Sequence, residues 1–160
     1  MDKGLTIDHI LRATWMNVAK MYNEEAAKKG SSMATGFVLL NIDPEEGTPS
    51  TSLGPKMGME ATSLSRTLKT MEAKGLIERK RNPEDGRSVL ISLTDFGIQM
   101  REYSKGVVLT FDQRVREYID DEKLDNFIEV ASKINDLISN KKIYGSMLET
   151  TETTDDKKFK

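Results

Sequence analysis

The 160-residue sequence contains no cysteine and only one histidine, His9. Without thiols the chain can form neither disulfides nor thiolate metal sites, and one histidine cannot build a multi-histidine centre. A redox switch through cysteine is excluded for the same reason. We therefore expect no metal site and no cofactor.

Long apolar runs are also missing. No stretch approaches the roughly 18 apolar residues needed to span a bilayer, and the Met1-Asp2-Lys3 start lacks the apolar core of a secretory signal. We expect a cytoplasmic protein with no membrane partner.

The usual catalytic motifs are absent as well. The sequence has no phosphate-binding glycine loop, no nucleophile elbow and no Ser/His/Asp set. The acidic residues Asp120, Asp121, Glu122 and Asp125 lack the glycine and the alternating oxygen ligands of a calcium loop, so they fit a helix start better than a metal site. These absences argue against an enzyme.

Positive charge is concentrated in one segment. The formal net charge is −2, yet residues 50–94 carry 8 basic and 5 acidic side chains, whereas residues 95–140 carry 6 and 10. Phosphate would attract the first segment and repel the second. This asymmetry favours a nucleic-acid contact in residues 50–94.

Helical patterns precede that segment. Apolar residues recur at helical spacing from Leu5 to about Lys29 and predict a helix with one broad buried face, ended by Gly30. Ser31 or Ser32 can cap a second helix that stops before Pro44. Residues 43–50 are expected to form a loop.

A helix-turn-helix follows. Thr51 is expected to cap a third helix, with Pro55 in its first turn, and Gly58 closes it. A fourth helix over residues 61–74 should bury Ala61, Leu64, Leu68 and Met71. The outward residues, which suit a helix entering a major groove because they are short or cationic, are Thr62, Ser63, Ser65, Arg66, Lys69 and Thr70.

A basic hairpin comes next. Residues 76–81 and 88–94 are strand-like, and residues 82–87 have strong turn chemistry. At the tip, a guanidinium can enter the narrow minor groove. The hairpin residues expected to contact DNA are Arg81, Arg87 and Ser88. Taken alone, the outward face of the fourth helix could be an ordinary solvated surface, and the hairpin an ordinary solvated turn. The hairpin directly follows the helix-turn-helix, however, and this order favours a winged helix-turn-helix.

At this point the sequence resembles the MarR family of bacterial transcription regulators. The resemblance is carried by residues 64–66, 71–79 and 82–88, and by Leu93-Thr94-Asp95-Phe96-Gly97. The Asp-x-Arg-Ser wing followed by Leu-Thr-x-x-Gly is its most specific part. The helical flanks extend the resemblance over roughly residues 5–140. Glu60 stands where such proteins usually have a Ser-like cap.

The resemblance implies a mainly α fold with a small β-hairpin wing. It implies dimerisation helices in residues 1–30 and 95–144 and a DNA-binding lobe in residues 31–94. Residues 145–160 are rich in Thr, Glu, Asp and Lys, a composition that predicts a disordered tail. The implied function is that of a ligand-responsive repressor, a homodimer that binds double-stranded DNA at a pseudo-palindromic operator. Its two recognition helices would be about 34 Å apart.

The C-terminal pattern supports a dimer independently. Thr94 is expected to cap a helix to about Tyr118, and Asp120 or Asp121 to cap another. The last helix has an apolar stripe formed by Leu124, Phe127, Ile128, Ala131, Ile134, Leu137 and Ile138. Such a stripe needs a partner, which is a second chain or, alternatively, Ile7, Ile10 and Leu11 of the same chain.

The family also suggests an effector pocket. Its candidate lining is Trp15, Met16, Ala19, Tyr22, Met33 and Phe37, although a plain core explains the same stripe. A flat aromatic acid or a fatty acyl compound would suit this lining better than a sugar. A different functional class, a winged helix that binds protein or RNA, would be distinguished by a loss of salt sensitivity.

Overall fold

The computed structural model describes residues 5–83 and 88–145. The predicted wing tip, including Arg87, and the predicted tail beyond Gly145 lie outside these residues. The chain divides into two compact units, residues 1–111 and 112–160. In chain order the elements are α1 (Ile7–Ala27), α2 (Met33–Asn41), β1 (Thr48–Pro49), α3 (Ser50–Met57), α4 (Ala61–Ala73), β2 (Ile77–Arg81), β3 (Val89–Leu93), α5 (Asp95–Tyr118) and α6 (Asp121–Ser139).

Several helix ends follow the expected capping chemistry. The hydroxyl of Ser32 accepts a hydrogen bond from the Thr35 amide and caps α2. Thr94 accepts from the Gly97 amide at the start of α5. Gly58 ends α3 with a φ of 60°, a conformation that glycine adopts without strain.

The start of α3 differs from the prediction. The helix begins at Ser50, its N-cap is Pro49, and Thr51 lies inside the first turn and is not the cap. Pro55 is consequently in the second turn, where it removes one intrahelical donor. The cause is β1, whose pairing holds Pro49 in an extended conformation and starts the helix early.

Residues 43–50 were expected to be a loop, but two of them form β1. Thr48 pairs with Ile91 and Pro49 with Leu90, so β1 adds a third strand to the hairpin in the order β1-β3-β2. A proline is tolerated here because β1 lies at the sheet edge. The fold is mainly helical, with a three-stranded antiparallel sheet.

The core lies between α2, α3, α4, α5 and the sheet. Three of the four residues predicted to be buried on α4 are buried, while Ala61 is exposed. Ala61 is the first residue of α4, where the helix has not yet reached the core. The largest fully buried side chains are Leu39, Ile42, Leu53, Met71, Ile91 and Val38.

The predicted broad buried face of α1 is wrong for the single chain, because α1 has no buried residue. Ile7 and Ile10 are 66% and 51% exposed. In the second unit, α6 likewise has no buried residue, and Phe127 is 58% exposed. Among the described residues no helix is both long and apolar enough to cross a membrane.

Candidate nucleic-acid interface and cavity

The outward face of α4 is the first part of the candidate interface. Buried Leu64, Leu68 and Met71 fix the rotation of this helix against the core. The face turned away from the core therefore brings together all six outward residues predicted from the sequence. Each of them is exposed: Thr62, Ser63, Ser65, Arg66, Lys69 and Thr70.

Two cations stand free on this face. Arg66 and Lys69 form no ion pair within the described part of the chain, and Arg81 at the end of β2 is also exposed without one. An unpaired guanidinium keeps all five N–H donors available for a planar acceptor. These three cations can therefore meet an anionic ligand without first giving up an ion pair.

The other two cations of β2 are neutralised within the lobe. The Arg79 Nε lies 3.0 Å from Glu72 Oε2, and the Lys80 Nζ lies 2.6 Å from Glu78 Oε1. The sequence pattern of three successive cations gave no sign of this pairing. Both pairs are exposed, so each contributes little stability, but each lowers the charge that phosphate would meet.

The hydroxyl groups of α4 differ in availability. Thr70 donates its hydroxyl hydrogen to the Arg66 carbonyl at 3.1 Å, so it can only accept a hydrogen bond from a ligand. Among the described residues, the hydroxyls of Thr62, Ser63 and Ser65 have no hydrogen-bond partner. They remain able to donate to phosphate oxygens or base edges.

The N-terminus of α4 lacks a side-chain cap. Its N-cap is Glu60, which makes no capping hydrogen bond. The first backbone N–H groups of a helix have no intrahelical partner and attract anions. The start of α4 therefore offers amide donors beside Thr62 and Ser63.

The base of the wing is closed by one pair of residues. Asn82 donates from its side-chain amide to Ser88 Oγ at 2.7 Å and from its backbone amide to the Ser88 carbonyl at 3.3 Å. Asn82 is buried and Ser88 is half-buried. The predicted DNA-contact residue Ser88 thus lies at the root of the wing, and the sequence reading missed the role of Asn82.

The C-terminal end of α4 is held by two neighbouring segments. Lys74 donates from Nζ to the Gly30 carbonyl at 2.7 Å. Thr94 donates from its hydroxyl to the Gly75 carbonyl at 2.6 Å and from its amide to the Leu76 carbonyl at 3.2 Å. The C-terminal end of α4 is therefore fixed to the α1–α2 connection and to the start of α5.

A small apolar cavity lies within the first unit. Its volume is about 30 Å³, which is room for one or two waters. Its walls come from the end of α1, the α1–α2 connection, α2 and α5. The lining residues are Tyr22, Ala26, Ser31, Ser32, Met33, Gly36, Phe37, Leu40, Met100, Tyr103, Ser104, Val107 and Val108.

Three of the six predicted effector residues line this cavity, namely Tyr22, Met33 and Phe37. Trp15 lies next to it, with its ring stacked 6.4 Å from that of Phe37. Met16 is 65% exposed and Ala19 half-buried, and neither belongs to the lining. The whole wall from α5 was missed, because it is separated from α1 by more than 70 positions.

The seam between α1 and α5 closes one side of the cavity. The Tyr103 hydroxyl donates to the Glu25 carbonyl at 3.2 Å, and Lys29 Nζ lies 5.3 Å from the centre of the Tyr103 ring. Lys28 donates to the Glu25 carboxylate at 2.6 Å, which raises the pKa of Lys28. Lys29 thus lies over one of the lining residues, while Lys28 is paired with Glu25.

A second, wider concavity of about 390 Å³ lies between α3 and α4. Its lining includes the exposed Ser65 and Arg79 and the buried Leu64 and Leu68. Since Ser65 belongs to the outward face of α4, this concavity is part of the same candidate interface and is not assigned to a separate ligand.

A helix-turn-helix whose second helix is exposed, followed by an antiparallel wing, defines the winged helix-turn-helix class. Comparison with known proteins specifies it further. The MarR family model matches residues 32–89. The HTH-type transcriptional regulator SarZ of Staphylococcus saprophyticus is 38% identical over 100 residues, covering 59% of this chain and 68% of that protein. The chain belongs to the MarR family and is a transcription regulator, not an enzyme.

Solved structures share the fold. The S. aureus MepR–DNA complex has a TM-score of 0.76 at 17% identity and covers 82% of this chain and 98% of MepR. CouR from Rhodococcus jostii RHA1, bound to p-coumaroyl-CoA, has a TM-score of 0.70 at 24% identity and covers 80% and 90% of the two chains. These likenesses confirm the predicted winged-helix architecture.

Proposed function

We propose that this regulator binds a specific double-stranded DNA operator as a homodimer and represses transcription until an effector binds. The observation that carries the proposal is the outward face of α4, where Arg66 and Lys69 are exposed and unpaired within the described residues. Such a regulator acts in the cytoplasm, where its DNA is.

The chemistry of α4 suits major-groove reading. Short hydroxyl side chains let the helix backbone approach the base edges, and a free guanidinium can bond two acceptors of one guanine. We assign base contact to Arg66 and Thr62, and phosphate contact to Lys69 and Arg81. The MepR–DNA complex, which has the same fold, supports duplex DNA as the partner.

The exposed apolar side chains support the homodimer. They include Ile7, Ile10 and Leu11 on α1, with Leu5 just before that helix, and Phe127, Ile128 and Ile138 on α6. Exposed apolar faces of this kind mark association surfaces. Residues 1–30 and 95–144 are the proposed dimerisation region, and residues 31–94 the proposed DNA-binding lobe.

The effector is proposed to enter the cavity beside Phe37. An aromatic acid or acyl compound fits an apolar lining with Lys29 over the Tyr103 ring, and CouR bound to p-coumaroyl-CoA supports this ligand class. A volume of about 30 Å³ is too small for such a molecule. The ligand would therefore select a wider conformation, and its differential affinity would set the loss of DNA binding.

The test of DNA binding is selection of duplexes from a random library by the purified protein, with sedimentation analysis of the free and bound forms. We expect two related half-sites about one helical turn apart and a complex with two protein chains. Affinity should fall steeply with salt. Failure to retard any duplex at low ionic strength would overturn the proposal and favour a protein or RNA partner.

The effector can be tested with the only tryptophan, Trp15, because its ring stacks on Phe37. Benzoate and decanoate serve as probes, since neither absorbs where tryptophan is excited. Saturable change of Trp15 emission is expected with one of them, together with release of the selected duplex. Val107→Phe, which fills the cavity, should abolish both effects. Emission changes that persist unaltered in Val107→Phe would contradict this site.

A further inference from the structure

We propose that Lys74 is a positioning residue that transmits the state of the cavity to the recognition helix α4. The inference rests on the proposed function, since it concerns how the effector cavity controls DNA binding. Lys74 itself need not touch DNA or the effector.

The contact of Lys74 with Gly30 joins two distant parts of the chain. Lys74 is the C-cap residue of α4, and its ammonium reaches the carbonyl of Gly30, 44 positions earlier, at 2.7 Å. Gly30 follows α1, where the helix dipole places partial negative charge, and it has a φ of 64°. Ser31 and Ser32, the next two residues, line the cavity. Lys74 is therefore attached to a segment that forms one cavity wall.

The opposite wall is attached to the same end of α4. Thr94, directly before α5, bonds to the carbonyls of Gly75 and Leu76. Further along α5, Tyr103 and Ser104 line the cavity. The C-terminal end of α4 is thus tied to both walls at once, through Lys74 on one side and Thr94 on the other.

Opening the cavity must disturb this arrangement. The walls meet at the hydrogen bond from Tyr103 to the Glu25 carbonyl. A cavity of about 30 Å³ cannot enclose an organic ligand unless the walls separate. Hydrogen bonds of 2.6–2.7 Å do not stretch by ångströms, so α4 must follow one wall or lose an anchor. Lys74 is the side-chain link that makes α4 follow the α1–α2 connection.

A double-mutant cycle tests this link without a ligand. Ser104→Phe places a ring between α2 and α5, because Ser104 Oγ already lies 3.3 Å from the position of a Gly36 Cβ. Lys74→Met keeps the methylene stem and removes the ammonium. Affinities are measured for the duplex selected by the wild type. We expect Ser104→Phe to weaken binding about tenfold in the wild-type background, within the range of allosteric couplings, and by less than about twofold in Lys74→Met.

Lys105→Met is the control, since Lys105 is an exposed lysine of α5 with no partner in the described chain; in that background the tenfold loss should persist. Equal losses in all three backgrounds, or no loss in the wild type, would overturn the role of Lys74. Melting curves establish that each variant is folded, and Ser104→Leu is the second wedge if Ser104→Phe is not. Absence of any duplex that wild type binds would instead reject the proposed function.

Discussion

Gly97 lies directly against the backbone of Leu76, so closely that a Cβ at position 97 would overlap the Leu76 carbonyl oxygen. This approach packs the first turn of α5 against the residue that directly precedes β2. It explains in physical terms the glycine of the Leu-Thr-x-x-Gly motif, and it gives the first prediction.

Gly97→Ala should destabilise the fold by about 2 kcal/mol or more, because backbone would have to move to admit the methyl group. Gly106→Ala is the matched control on the same helix. No atom lies within 4 Å of its added Cβ, so it should stabilise by up to about 1 kcal/mol through helix propensity. Urea unfolding of both variants measures the difference. Equal midpoints would show that Gly97 has no packing role.

Arg66→Ala should weaken binding to the selected operator by about 1–3 kcal/mol more than binding to random DNA, since a bidentate base contact is lost. Lys69→Ala should weaken both by similar factors, because a phosphate contact carries no sequence information. Competition gel shifts give the two ratios. A uniform loss in Arg66→Ala would reassign that residue to phosphate.

Glu72→Gln should strengthen DNA binding. It frees the Arg79 guanidinium, now 3.0 Å from the Glu72 carboxylate, and removes a negative charge from α4. One additional phosphate contact would steepen the salt dependence, log affinity against log salt, by about 0.9. Glu102→Gln is the control, as it releases Arg101 on α5. Weaker binding by Glu72→Gln would indicate that the ion pair positions α4.

Asp43 predicts a pH dependence of stability. Its carboxylate accepts backbone hydrogen bonds from Glu46 and Glu45, which lower its pKa. The stabilisation is present above the unfolded value of about 3.9 and is lost as the pH falls through the lower folded value. Asp43→Ala should therefore reduce the urea midpoint at pH 7 and much less at pH 2. A deficit of equal size at both pH values would exclude Asp43 as the source.

Ile10→Glu should dissociate the proposed homodimer, because it places a charge in an exposed apolar row of α1. Lys20→Glu, on the polar side of the same helix, should leave the dimer intact. Sedimentation velocity at several protein concentrations distinguishes these outcomes. A wild type that sediments as a single chain at every concentration would reject the homodimer.

The parts predicted well from the sequence depend on local chemistry. The outward face of α4 follows from a 3.6-residue period, the cap at Ser32 from a hydroxyl before an apolar run, and β2 and β3 from alternation around a turn. Each of these patterns is contained in a short stretch of chain, and tertiary packing stabilises the local structure that the pattern predicts.

The parts that were missed depend on contacts distant in sequence. β1 is only two residues long, so its sequence has no strand pattern from which its pairing with β3 could be predicted. The same pairing moved the start of α3 away from its predicted position. The α5 wall of the cavity and the bond from Tyr103 to Glu25 exist only after α1 and α5 have met. The exposure of the apolar row on α1 was not predicted. Periodicity shows which side of a helix is apolar, but it does not show whether that side packs within the same chain or against another one.

The two hydrogen bonds between Asn82 and Ser88 join β2 and β3 at the base of the wing. β2 and β3 are joined by their own ladder and by the Asn82–Ser88 hydrogen bonds, so these contacts hold the register of the two strands. Segments of other length or composition can therefore be placed between positions 82 and 88 while β2 and β3 are kept. Under the proposed function, such variants would differ in their DNA preference.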